Sequence, residues 1–190
     1  MLTLYYCDHL PSKNNELGIV SGWSDQGVSD WGKGLARYLA FPEGADPDDT
    51  IVVCSSQQRC IESAELCFGH LDLPVIADPR LNPVNYGTHH GRPMEEIYSN
   101  THSFLETPYP DGESFTDMAA RYRSFFADLK VERSASAVIF LRHHASMAIV
   151  THLKTGVALS EAIPQYRSLK RKSLEEIEAG IAKGFIVDTF

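Results

Sequence analysis

Three places in this sequence set imidazole, guanidinium and carboxylate groups just past short apolar runs. Asp8-His9 follows Leu2–Cys7, Ser55-Ser56 and then Arg59 follow Ile51–Cys54, and Arg142-His143-His144 follows Ala137–Leu141. The apolar runs are rich in β-branched or aromatic residues and are predicted to be strands. In open α/β sheets, ligands bind beyond the carboxyl ends of the strands, so these groups are expected along one edge. Such a set suits phosphoryl transfer. A neutral imidazole can attack phosphorus and carry it as phosphohistidine. A guanidinium fork holds phosphate oxygens in bidentate geometry, and a second imidazole can hydrogen-bond the charge on the transferring group.

The same residues allow a second chemistry. Asp8-His9, His89-His90 and His143-His144 supply imidazole pairs and a carboxylate that suit zinc or another imidazole-binding transition metal. Successive side chains of an extended segment alternate sides, so adjacent histidines do not easily face one ion. The reading without metal or cofactor is preferred. An aspartyl-phosphate mechanism would need a second acid two residues after Asp8, and that position is Leu10.

Holding these groups together requires a sheet and the helices that cover it. Pro74–Ala77 is a fourth predicted strand. Helices are expected at Trp31–Phe41 after the capping pair Ser29-Asp30, and at Gln57–Phe68 between Ser55-Ser56 and Gly69. Ser114 and Asp117 form a capping box from which a helix runs to about Val131, with Met118, Tyr122, Phe125 and Leu129 on one stripe. Another helix follows Ala145 and ends at Thr155-Gly156. Ser173–Glu178 and Phe185–Phe190 read as a last strand pair. Strands alternating with helices, each run apolar through its middle, indicate a three-layer α/β/α sandwich with a mostly parallel sheet.

A chain of 190 residues suits one domain, 1–190. Within it, 78–112 is long and rich in turn residues, and reads as a lid or insertion over the site. The formal net charge of −8 argues against nucleic-acid or membrane partners. It also requires any anion site to concentrate positive groups locally. No export signal or membrane span is visible, so a cytoplasmic location with reduced cysteines is expected. Oligomeric state is not legible.

One family resemblance carries these residues further. Asp8-His9-Leu10 with Asn15 six residues after His9, followed by Gly22-Trp23-Ser24-Asp25, is similar to the opening of the histidine phosphatase superfamily, phosphoglycerate-mutase-like branch. Ser55 to Ala64, containing Arg59, resembles its second phosphate-binding segment. Tyr86 to Ile97, Gly112-Glu113-Ser114 with Arg121, and Ala137–Leu141 with Arg142-His143 follow in family-like order, over residues 2–178. The resemblance implies a phosphatase acting on a small phosphomonoester. His9 would be the nucleophile, Arg59 the phosphate clamp, and His143 the second histidine, preferred over His144. Asn15 would help to orient the phosphate, and Asp8, His90 and His144 would lie in its surroundings.

Three positions depart from the pattern. Asp8 stands where the family has arginine, Leu10 where it has glycine, and Leu81-Asn82-Pro83 where the branch commonly has a glutamate general acid. A unit-charge pair about 4 Å apart at an effective dielectric near 20 is worth on the order of 4 kcal/mol, so reversing a charge beside phosphate is costly. Arg142 is the expected replacement cation. His89, His90, Glu95 and Glu113 are the residues available to replace the acid. The alternative function is a pseudophosphatase that binds a phosphorylated ligand without turnover.

Overall fold

The computed structural model describes residues 2–24, 26–132, 135–167 and 186–189. The apolar runs become strands β1 (Thr3–Asp8), β2 (Thr50–Ser55), β3 (Val75–Asp78) and β4 (Ala137–Arg142), joined by β5 (Ile186–Thr189). They form one sheet in the order β3-β2-β4-β1-β5. The first four are mutually parallel, and β5 runs antiparallel to β1 from Thr3↔Thr189 to Tyr6↔Ile186. Polar Asp8, Ser55, Asp78 and Arg142 close the four parallel strands, each beyond its predicted apolar run. The ladder is made by backbone groups, so pairing continues past the last apolar side chain.

Side chains alternate across this sheet as a period of two requires. Leu4, Tyr6, Val53, Val138 and Phe140 face one core, while Tyr5, Cys7, Val52, Cys54, Ile139 and Leu141 face the other. Helices α1 (Lys13–Leu17), α2 (Asp30–Leu35), α3 (Gln58–Phe68), α4 (Met94–Ser99), α5 (Phe115–Glu132), α6 (Ser146–Thr155) and α7 (Leu159–Arg167) cover it. Met118, Tyr122, Phe125 and Phe126 of α5, with Ile149 of α6, fill the first core. Cys60, Ala64 and Phe68 of α3, with Leu35 of α2, fill the second. Each fully buried Phe or Leu side chain contributes about 1.5–3 kcal/mol, so both faces are strongly fixed. The result is the expected α/β fold.

Local signals explain the helix ends. Ser114 Oγ accepts from the Asp117 amide at 3.1 Å, and Asp117 Oδ2 accepts from the Ser114 amide at 2.9 Å, completing the capping box of α5. Gly156, with φ of 74°, ends α6 in the left-handed region. α2 is shorter than the predicted 31–41, giving way to a single 3₁₀ turn at Ala36–Tyr38; Gly32 and Gly34 lower its helix propensity. Helices α1, α4 and α7 arise where no helix was predicted.

Segment 78–112 is not structureless. It holds α4 and 3₁₀ turns at Pro79–Leu81, Gly87–His89 and Thr101–Phe104. Leu81, Val84, Tyr86, Ile97 and Tyr109 are buried with the first core. Gly87 has φ of 52°, and a Cβ there would lie 1.9 Å from the Pro110 carbonyl oxygen, so this turn admits only glycine. Asp25, Phe185, Phe190 and the predicted strand Ser173–Glu178 lie outside the described residues. Among the described residues no helix is long and apolar enough to cross a membrane.

Candidate active site

Parallel pairing sets Asp8 opposite Arg142 at the last rung of β1 and β4. His9 and His143 leave the sheet edge together, and the His9 amide donates to the Arg142 carbonyl at 3.2 Å. Their rings meet edge to face with centroids 5.0 Å apart. His9 Nδ1 lies 2.7 Å from the Leu10 carbonyl oxygen. A carbonyl only accepts, so Nδ1 carries the proton and Nε2 keeps the lone pair. The ring is thus set in the tautomer that a nucleophile needs.

Leu10 combines two requirements. Its side chain is wholly buried in the second core, while its carbonyl serves His9 and its amide donates to Ser63 Oγ at 2.8 Å. Ser63 Oγ in turn donates to the Arg59 carbonyl at 2.6 Å. This one hydroxyl therefore ties the first turn of α3 to the loop after His9.

His143 is also buried. Its Nε2 lies 2.8 Å from Ser55 Oγ, at the end of β2, and 3.5 Å from Cys60 Sγ on α3. Its amide donates to Ser146 Oγ at 3.2 Å. Arg59 is only 2% exposed, and its guanidinium donates to the carbonyls of Gly22 at 2.9 Å and Ser24 at 3.3 Å, and to Gln57 Oε1 at 3.4 Å. The loop of residues 21–24 thus lies against this cation.

Burial is the main reason the His9 pKa drops to about 4, and the positive charge of Arg59 adds to it; the Leu10 carbonyl and Asp8 oppose. His143 is pushed well below the ordinary range, first by burial and then by Arg59 and His9. Both imidazoles are neutral near pH 7. The Cys60 thiol is raised by burial and stays protonated. Asp8 Oδ1 sits 3.0 Å from Arg142 Nη1; the aspartate side chain is 44% exposed and the arginine 11%.

The histidine phosphatase superfamily (branch 1) model matches residues 9–183. The chain belongs to the histidine phosphatase superfamily. It is 28% identical over 167 residues to a Hydrogenobacter thermophilus protein provisionally named phosphoserine phosphatase 2, covering 84% of this chain and 81% of that one. Its fold matches an alpha-ribazole phosphatase from Shigella flexneri with a TM-score of 0.72 at 20% identity, over 85% of this chain and 83% of the other. A phosphoglycerate mutase from Bacillus anthracis gives 0.64 at 15% identity, over 82% and 80%.

Within this superfamily member the structure brings together His9, His143, Arg59, Asp8 and Arg142. The remaining predicted residues have other partners. Asn15 Oδ1 accepts from the amide and hydroxyl of Ser12, both at 2.9 Å, and caps α1. His144 lies beside α4, its ring nearly parallel to that of Tyr98 at 6.0 Å between centroids. His90 contacts the Ser21 carbonyl at 3.1 Å through Nδ1 and Asn85 Oδ1 at 2.9 Å through Nε2. It packs so closely on Gly22 that a Cβ there would lie 2.4 Å from the ring.

The residues considered as acids are mostly engaged elsewhere. Glu113 forms a bidentate pair with Arg121, at 2.6 and 3.1 Å, and accepts from the Asn85 amide. His89 packs edge-on against Phe104 and Tyr109. Glu95 lies in the first turn of α4. Pro83 presents its carbonyl to Trp23 Nε1 at 2.7 Å and to Arg121 at 2.9 Å. Among the described residues no group of three His, Cys, Asp or Glu side chains is placed to hold a metal. Ser55, Ser63 and Ser146 hold the site but were not singled out from sequence. Ser63 lies one helical turn after Arg59, and that spacing was the available signal.

Proposed function

We propose that this histidine phosphatase superfamily member hydrolyses a small phosphomonoester through a phosphohistidine at His9. The observation that carries the reading is the His9–His143 pair, with His9 Nδ1 spent on the Leu10 carbonyl and Nε2 left as the base. In the first step Nε2 attacks phosphorus, the P–N bond forms, and the P–O bond to the leaving group breaks. In the second, water attacks phosphorus, the P–N bond breaks, and inorganic phosphate leaves. Arg59 clamps phosphate oxygens, with Arg142 as the second cation. His143, steadied by Ser55, donates to the charge that builds on the transferring group. Asn15 assists through the amide hydrogens that its cap does not use.

Pro83 supplies no proton, so leaving groups that depart as stable anions should react best. Residues 1–190 act as one domain without metal or cofactor, in the cytoplasm, with 78–112 as the segment that shapes substrate choice. A second reading, ligand binding without turnover, is favoured by the Asp8–Arg142 pair, because the cation expected to replace the signature arginine is already engaged. Hydrolysis of p-nitrophenyl phosphate from pH 4 to 8 by wild type, His9→Ala and Asp8→Arg separates the two. Turnover by wild type that is lost in His9→Ala supports hydrolysis. An inert wild type with activity gained in Asp8→Arg supports the binding reading. Equal activity in wild type and His9→Ala would refute the mechanism.

A further inference from the structure

One side chain of α5 joins segment 78–112 to the second histidine. Tyr122 is wholly buried, as are Leu81 and Ser146. The Tyr122 hydroxyl donates to the Leu81 carbonyl at 2.8 Å and lies 2.8 Å from Ser146 Oγ. A carbonyl only accepts and a phenol has one proton, so the Ser146 hydroxyl donates to Tyr122. Ser146 Oγ accepts from the His143 amide at 3.2 Å, and the Ser146 amide donates to the His143 carbonyl at 2.9 Å. The hydrogen bonds therefore run one way, from the His143 amide through Ser146 and Tyr122 to the Leu81 carbonyl. Burial holds the tyrosine hydroxyl above its ordinary range, so its proton stays in place. The residue beside it behaves differently. Arg121 takes the carbonyls on either side of Leu81, those of Arg80 at 2.7 Å and Asn82 at 2.6 Å, and its other donors go to Pro83 and Glu113. Arg121 thus braces segment 78–112, whereas Tyr122 carries the contact on to His143.

We propose that Tyr122 is a positioning residue for the reaction, acting through Ser146 to fix the backbone of His143 relative to segment 78–112. The inference rests on the reading of His143 as the group that hydrogen-bonds the transferring phosphoryl group. Ser146 holds both backbone groups of His143, while Ser55 Oγ holds its ring at Nε2, 2.8 Å away. Anchors at both ends of the residue restrict how the imidazole can turn. A catalytic group needs placement to within about 0.5 Å, and a misplacement of about 1 Å can cost about a hundredfold in rate. Without the tyrosine oxygen, the Ser146 proton loses its acceptor, the hydroxyl rotates, and its lone pair no longer aims at the His143 amide. The Leu81 carbonyl loses its donor in the same step. The Tyr122 ring packs against Phe126 and Phe140, each with centroids 6.4 Å away. Phenylalanine at this position therefore removes the hydroxyl and keeps the packing.

Steady-state hydrolysis of p-nitrophenyl phosphate by the full chain carrying Tyr122→Phe, Ser146→Ala or both tests the relay, together with NMR spectra of isotopically labelled imidazole nitrogens. Each single variant should lower kcat about fivefold and leave KM within about twofold, because a misplaced donor is felt in the transition state. The double variant should lose no more than either single one, whereas independent roles would multiply to about twenty-five-fold. In the spectra, the His143 ring nitrogens, assigned by their loss in His143→Ala, should shift in Tyr122→Phe. Those of His152, toward the far end of α6 with Nδ1 2.8 Å from the Val157 carbonyl oxygen, should stay in place. An unchanged kcat, a rise in KM alone, or multiplied losses in the double variant would each overturn the proposal. So would His143 signals that do not move, or that move no more than those of His152. If Ser146→Ala does not fold, Tyr122→Phe decides alone. An inert wild type would refute the hydrolysis, and the spectra would still decide the positioning. Turnover that requires His9 but is indifferent to Tyr122 would sink the relay and leave the reaction standing.

Discussion

Two clusters rich in arginine and histidine lie close together in this molecule, and they differ in where their hydrogen bonds go. In the strap formed by residues 80–113 and the start of α5, Arg121 spends all five of its N–H donors on protein: Glu113 takes two, and the carbonyls of Arg80, Asn82 and Pro83 take the rest. His90 likewise has an oxygen against each ring nitrogen. At the ends of β1 and β4, His9 has one nitrogen fixed by a carbonyl, and that bond defines its other nitrogen as the base. His143 is held through Nε2 by Ser55 while its ring edge meets His9. A group whose bonds are all made internally braces the fold. A group fixed by some of them is aimed. Residue type alone does not separate the two cases, because the same imidazoles and guanidinium groups occur in both.

The strongest attempt to break this contrast is His9→Ala. Hydrolysis of p-nitrophenyl phosphate should fall by at least about a thousandfold, while the melting temperature stays near that of wild type. A retained rate would move His9 into the bracing class. Arg121→Ala should act in the opposite way. It takes five N–H donors away from Glu113 and three carbonyls, leaving Glu113 the Asn85 amide and Pro83 the Trp23 indole, which costs about 3 kcal/mol of stability and lowers the melting temperature by about 6–12 °C. Specific activity of the folded fraction should hardly change, and a kinetic loss without a thermal one would overturn the assignment.

Smaller effects sharpen the description of the aimed cluster. Ser55→Ala leaves His143 Nε2 with the weaker Cys60 Sγ contact and should lower kcat about tenfold with less effect on KM, since the hydroxyl orients a transition-state donor and not the bound ester. The depressed His9 pKa predicts that the acid limb of kcat/KM falls near pH 4, well below the ordinary histidine value of 6.5. The same shift has a thermodynamic counterpart. Between the ordinary value of 6.5 and the folded value of about 4, the unfolded chain binds the proton and the folded chain does not. This part of the stability is therefore complete above pH 6.5 and is lost as the pH falls toward 4. Thermal melts of wild type and His9→Ala, alike near pH 7, should therefore separate as the pH falls toward 4, with wild type melting lower.

Much of the architecture was written locally. Short apolar runs rich in β-branched or aromatic residues marked four of the strands, and the Ser114–Asp117 box and Gly156 marked helix ends, because these features depend on neighbours in sequence. Helices α1 and α4, at five and six residues, are too short to leave a clear period. α7 carries Pro164 within it, which disguises its pattern. Val75 and Ile76 were read as strand from their composition, yet they are 45% and 37% exposed because β3 is an edge strand. No local signal reveals which strand of a sheet lies outermost.

For the site, residue order along the chain sets which groups arrive at the sheet edge: His9, Arg59, Arg142 and His143 each stand within a few residues of a strand end. It also placed Asp8 where the family pattern has arginine, and Leu10 where it has glycine. What each group faces was settled by packing. Parallel register brought Asp8 to Arg142, the Leu10 carbonyl fixed the His9 tautomer, and Arg121 took up Glu113. Hydrogen-bond partners from distant segments are set by how strands and helices pack, and a string of residues carries no distance between them. That is why His9 was recognisable from its neighbours in the chain, while its protonation and its surrounding charge were not.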